Sequence, residues 1–83
     1  MRLKYDIYAN GQKTRDTKYV EGNKATTHYL EILEKYGTNE FARFKNFHVK
    51  KSYLQNKKQL YKIEFSFTNN GGTRIRHIYE LVK

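Results

Sequence analysis

Three stretches in the second half of the chain share one parity, and that parity decides most of what the chain can fold into. Phe47, Val49, Lys51 and Tyr53 alternate with their neighbours; so do Tyr61, Ile63, Phe65 and Phe67, and then Ile75, His77, Tyr79 and Leu81. Successive strand residues point to opposite faces, so alternation of this kind marks strands with one face buried. All three runs use odd-numbered positions. To meet on one side of an antiparallel meander they need connections with an odd number of residues, because a slip of one turns every side chain over. Asn70-Gly71-Gly72 meets that condition as a three-residue loop with glycine at the left-handed position of a bulge. Asn56-Lys57-Lys58 has the same length.

This register predicts the rows of the sheet. The inner face stacks Phe47–Phe67–Ile75, Val49–Phe65–His77, Lys51–Ile63–Tyr79 and Tyr53–Tyr61–Leu81. The outer face runs Asn46–Thr68–Arg74, His48–Ser66–Arg76, Lys50–Glu64–Ile78, Ser52–Lys62–Glu80 and Leu54–Leu60–Val82. Lys50 then opposes Glu64, and Lys62 opposes Glu80. Such pairs contribute about 0.2–1 kcal/mol each, enough to tune a register but not to create it.

The first half supplies another strand and a cover. Leu3, Tyr5, Ile7 and Ala9 alternate with Lys4, Asp6 and Tyr8, and Asn10-Gly11 forms a turn because both residues tolerate positive φ. Thr14, Thr17, Tyr19 and Val20 favour a short strand over residues 15–20. A helix follows. Asn23 is suited to cap its N-terminus, and Ala25, Tyr29, Ile32, Leu33 and Tyr36 form an apolar stripe, with Glu31 and Lys35 paired on the surface. Gly37 is expected to end it as a left-handed cap, and Thr38 to start one further turn through Phe41 and Phe44. The expected fold is a single α+β domain over residues 1–83. One helix packs on a twisted antiparallel sheet of four to five strands, in the order β(β)αβββ, ending in a three-stranded meander.

Composition narrows the chemistry. A chain of 83 residues buries only about 60% of its unfolded surface. It has no cysteine, hence no disulfide and no thiolate zinc site, and its three histidines and eight carboxylates show no metal-ligand spacing. No metal or cofactor is expected. Eight Tyr and five Phe must supply the packing. No apolar run suggests a signal peptide or a membrane span, so a cytoplasmic protein without membrane contact is expected.

Charge is the functional signal. The net charge is +9, but residues 1–40 hold seven Lys/Arg against six Asp/Glu, and residues 41–83 hold ten against two. Lysine scattered for solubility would not be so concentrated. The predicted rows gather Asn46, His48, Ser66, Thr68, Arg74 and Arg76 near the Asn-Gly-Gly loop, with Arg43 and Lys45 at the strand entry and no acidic residue among them. Arginine brings fixed charge and several N–H donors, which is what a phosphate contact requires. Lys50, Lys57, Lys58 and Lys62 form a second cluster. Most aromatics fall on the core face and read as packing; Tyr8 alone points outward. His77 reads as an inner-face histidine hydrogen-bonded to a tyrosine, and His28 as a surface residue. His48, beside Arg74 and Arg76, is the one histidine suited to acid–base cleavage of RNA.

The size, the basic balance and the strand Arg74-Ile75-Arg76-His77-Ile78-Tyr79 loosely resemble the ribosome-dependent RNase toxins of toxin–antitoxin pairs, over residues 59–83. Those toxins place two helices after the first strand, where one is readable here. The Lys-, Asn- and Tyr-rich composition is similar to that of many phage and mobile-element proteins. Three functions follow as expectations. The leading one is a basic accessory protein that binds DNA or RNA through Arg43, Lys45, His48, Lys50, Lys57, Lys58, Lys62, Arg74 and Arg76. The second is an inhibitor of a host protein or nucleoprotein. The third is an RNase using His48, Arg74 and Arg76. Leu54, Leu60, Ile78 and Val82, apolar on the predicted outer face, would suit a homodimer contact.

Overall fold

The computed structural model describes residues 2–21, 26–54 and 59–82. Strand β1 (Arg2–Ala9) turns back through Asn10 and Gly11, both at positive φ (50° and 84°), into β2 (Gln12–Lys13). After an irregular stretch β3 (Lys18–Val20) returns to β1, pairing Leu3 with Val20 and Tyr5 with Lys18. Residues 12–20 are therefore not one strand but two short pieces on the same edge of β1. Helix α1 (Thr27–Phe41) leads to the meander β4 (Lys45–Tyr53), β5 (Leu60–Thr68) and β6 (Arg74–Val82). The sheet has six strands in the order β2-β1-β6-β5-β4, with β3 also on β1, and all pairings are antiparallel.

The centre of the meander has the register that parity demands. Val49–Phe65–His77 and Lys51–Ile63–Tyr79 face the helix, and His48–Ser66–Arg76, Lys50–Glu64–Ile78 and Ser52–Lys62–Glu80 face away. The β5–β6 loop is Asn70-Gly71-Gly72. Asn69 N–H donates to Thr73 O (2.9 Å), Gly72 N–H donates to Asn69 O (3.0 Å), and Gly72 takes φ +83°. A residue with a Cβ would be strained there. The second predicted loop, Asn56-Lys57-Lys58, lies outside the described residues.

The ends of β4 depart from parity through two bulges. Lys45 opposes Thr68 while His48 opposes Ser66, so two residues of β4 face one of β5, and Asn46 absorbs the extra residue with φ 56°. Phe47 therefore does not sit squarely in a row with Phe67. At the other end Ser52 opposes Lys62 but Tyr53 opposes Leu60, which breaks the predicted Tyr53–Tyr61 row. That shift turns Leu60 inward. It is buried in the core with Leu3, Leu30, Ile63, Phe65 and Leu81 and cannot belong to an outer-face dimer contact.

Two details of the helix also differ from expectation. The N-cap is Thr26, in extended conformation, whose Oγ1 accepts from Tyr29 N–H at 3.2 Å; Asn23 lies outside the described residues. Thr26→Ala should cost about 1 kcal/mol, readable in urea melts with an unchanged slope. Gly37 does not end the helix, which runs unbroken to Phe41. It is buried against the Phe65 ring, and no larger residue would let the two elements approach so closely. The stripe is rotated accordingly. Leu30, Leu33, Gly37 and Phe41 face the sheet, while Ile32 and Tyr36 stand 50% and 63% exposed. Lys51, on the helix side of the sheet, meets Glu34 of α1 at 3.1 Å, and that carboxylate raises its pKa.

Candidate nucleic-acid interface

Helix α1 covers one face of the sheet. On the opposite face no described element forms a second layer, though the β2–β3 connection folds over Asp6, whose Oδ1 accepts from Thr17 and lies 3.5 Å from Lys13 Nζ. Four strands, β1, β6, β5 and β4, form this outer face. By register they place seven basic residues on it (Arg2, Lys4, Lys45, Lys50, Lys62, Arg74, Arg76) against three acidic ones (Asp6, Glu64, Glu80). The bulge at Asn46 is what adds Lys45, an odd-numbered residue, to this set.

The two arginines are not free forks. Arg74 donates from one NH2 group to Asn46 O (2.9 Å) and from the other to Ser66 Oγ (2.9 Å), tying β6 to the bulge across β5. Its backbone N–H donates to Asn10 Oδ1 (3.0 Å), which fixes the β1–β2 turn on the same strand. Arg76 donates from Nε (3.1 Å) and an NH2 group (2.8 Å) to both oxygens of Glu64, the diagonal neighbour on β5, and its guanidinium lies 5.5 Å from the centre of the Tyr8 ring. The sequence reading that left this patch without an acidic residue is thus corrected. Lys50 opposes Glu64 in register, yet the carboxylate turns to Arg76. Arg76 therefore holds the Glu64 carboxyl below the usual range, with Lys50 and Lys62 adding to the effect against a cost from burial.

Among the remaining predicted contacts, His48 is exposed on β4 opposite Ser66, with Arg76 on the next strand beyond. Two strand spacings, roughly 10 Å of backbone, separate His48 from Arg76, and the Arg76 fork is held by Glu64. Lys50 is exposed and Lys62 half-buried, and neither meets a carboxylate within 4.0 Å among the described residues. Lys57 and Lys58 lie outside the described residues. Leu54 is exposed, and Ile78 and Val82 are half-buried on the outer face. His28 is a surface residue beside Glu31.

His77 occupies the inner face as a packing residue. Its Nδ1 lies 2.8 Å from the Tyr5 hydroxyl, and its ring stacks on Phe41 with centroids 4.7 Å apart. Burial, with help from Arg15, lowers its pKa. Tyr5 in turn stacks on Tyr79 at 4.4 Å, and burial raises the Tyr79 hydroxyl well above the tyrosine range.

A cavity of about 330 Å³ opens at the end of the sheet beside the β5–β6 loop, lined by Arg43, Phe44, Lys45, Thr68, Asn69, Asn70 and Gly72. Charge in the sequence pointed to Arg43 and Lys45. The predicted rows already held Thr68 beside this loop; charge did not point to Phe44 or Asn69. The register did carry that signal, since an antiparallel meander sets the start of β4 beside the end of β5 and its following loop.

No protein-family model, curated protein or solved structure matches this chain. The site is therefore read from its own chemistry. Among the described residues no group of three or more His, Asp or Glu side chains could hold a metal ion, and no helix is long and apolar enough to cross a membrane.

Proposed function

We propose that the protein binds nucleic acid through its phosphate backbone, using the uncovered sheet face. One observation supports this reading above the others. The face without a helix carries seven basic residues against three acidic ones, while the buried face carries the aromatic core. The division of work among the cations follows from their partners. Arg74 and Arg76 brace the sheet; Lys45, Lys50, Lys62 and Lys4 carry the charge available to a ligand, with His48 beside them.

Lysine-dominated contacts to phosphate give affinity without base readout, so binding should be weakly dependent on sequence and strongly dependent on salt. Titrating labelled RNA, single-stranded DNA and duplex DNA over a range of salt concentrations tests this. With about four phosphates neutralised, log K should fall against log salt with a slope of about −3 to −4. Lys50→Ala and Lys62→Ala should each reduce that slope by about one. A protein that bound none of the three at low salt would rule the proposal out.

A further inference from the structure

We infer that the cavity beside the β5–β6 loop is a nucleotide subsite, seating one phosphate with its attached sugar or base, so that the protein prefers single strands to duplexes. This narrows the nucleic-acid reading above and rests on it. The wall of the cavity presents hydrogen-bond donors and no carboxylate. Lys45 has no carboxylate within 4.0 Å among the described residues, and Arg43 meets Glu40 only at 3.8 Å on the surface. Thr68 Oγ1 already accepts from Asn46 Nδ2 at 3.4 Å, which leaves its own proton to give.

Asn69 is the decisive residue. Its Oδ1 accepts from Gly71 N–H (3.0 Å) and Thr73 N–H (2.9 Å), and two N–H donors fix which end of the amide is oxygen. The Nδ2 end has only donors to offer, and it donates to no protein acceptor among the described residues. An acceptor such as a phosphate oxygen complements this set. Beside the donors stands an apolar wall. Phe44 is held by stacking on Phe67 (centroids 4.8 Å) with the Arg43 guanidinium 5.2 Å from its ring centre. Phosphate donors next to an immobilised aromatic suit a nucleotide better than a bare anion. The volume lies at the small end of ligand pockets, which run from roughly 300 to 1,000 Å³. A base inside a duplex is stacked and cannot enter such a site, whereas a base in a single strand can.

The test compares a short labelled oligouridylate with a blunt-ended RNA duplex of equal strand length, using the wild type, Asn69→Asp and Phe44→Leu. Asn69→Asp keeps two acceptors for the loop N–H groups, so thermal unfolding should stay unchanged. It also removes the donor and adds a negative charge, so single-strand affinity should fall about tenfold or more. Phe44→Leu should weaken oligouridylate about fivefold or more while leaving duplex affinity unchanged. Uridine monophosphate should compete, and inorganic phosphate alone should shift the amide signals of residues 69–73. If Asn69→Asp unfolds, Phe44→Leu carries the comparison alone. Equal binding of single strand and duplex, with both cavity variants at wild-type affinity, would overturn the inference and leave the sheet-face reading standing. Loss of all nucleic-acid binding by the wild type would remove both.

Discussion

Gly37→Leu should prevent folding, and even Gly37→Ala should destabilise the protein by about 1–3 kcal/mol. The sign is the informative part. On an exposed helix the same glycine-to-alanine change would stabilise by about 1 kcal/mol, because glycine has the greater backbone entropy to lose. Here an added Cβ would press on three atoms of the Phe65 ring, 2.8 Å from Cε1 and closer to Cζ and Cε2. The ring has nowhere to retreat. Phe65 is fully buried and is flanked by Phe41, Phe47 and Tyr79, with ring centroids 5.8, 6.4 and 6.2 Å away. A domain of this size has a total stability of about 4–12 kcal/mol, so a bulky residue at Gly37 exhausts much of it. Urea unfolding of Gly37→Ala with and without Phe65→Leu checks the mechanism. The double variant should recover part of the loss beyond the cost of Phe65→Leu alone. A stabilised Gly37→Ala would mean that helix and sheet are not in contact at this point.

Gly37 also shows where reading a sequence stops. In a linear pattern a glycine after an apolar stripe signals a helix end. Only the position of Phe65 across the interface, set by the sheet, makes it a contact residue instead. The phase of the stripe went the same way. Ile32 and Tyr36 satisfy helical spacing as well as Leu30 does, and the choice between them is made by the approach at Gly37. In the sheet, by contrast, the central rows were legible, because period-two alternation excludes a slip of one and the short Asn70-Gly71-Gly72 loop excludes a slip of two. The failures lie at the two bulges. A bulge is a backbone event with no hydrophobic period of its own; Asn46, tolerant of positive φ, was the one available hint. Leu60 has the even number of an outward residue and is turned inward only by the shift beside it.

The site was legible in charge and illegible in pairing. Arg43, Lys45, Lys50 and Lys62 stand out in a segment without carboxylates. Nothing in the spacing of Arg74 and Arg76 says that their donors are already used within the sheet. Direct cross-strand opposition suggested Lys50 for Glu64, but the planar fork of arginine reaches both carboxylate oxygens diagonally, and a bidentate charged bond outweighs a single one.

Glu64→Gln should therefore move stability and affinity in opposite directions. Glu64 is 17% exposed and its partner Arg76 41% exposed, so the pair is partly shielded from water. Removing the charge weakens two charge-assisted hydrogen bonds; with Arg76 partly open to water, a loss of about 1 kcal/mol is expected. The same change frees the Arg76 fork beside Tyr8 and raises the net charge of the face by one. On the nucleic-acid reading, one further phosphate contact should tighten binding roughly tenfold at moderate salt and steepen the salt slope by about one. Acid should reproduce the stability half of this result. Because the folded-state pKa of Glu64 lies below its unfolded value of 4.5, its contribution is complete above that pH and is lost as pH falls through the folded pKa. His77, whose folded pKa is also lowered, acts earlier: stability begins to fall below its unfolded value of 6.5, as the unfolded state takes up a proton that the buried ring resists. Wild-type melts should thus decline in two stages on acidification, and Glu64→Gln should abolish the second stage while keeping the first. If Glu64→Gln lost stability without gaining affinity, the outer face would be a braced surface and not the one that meets phosphate.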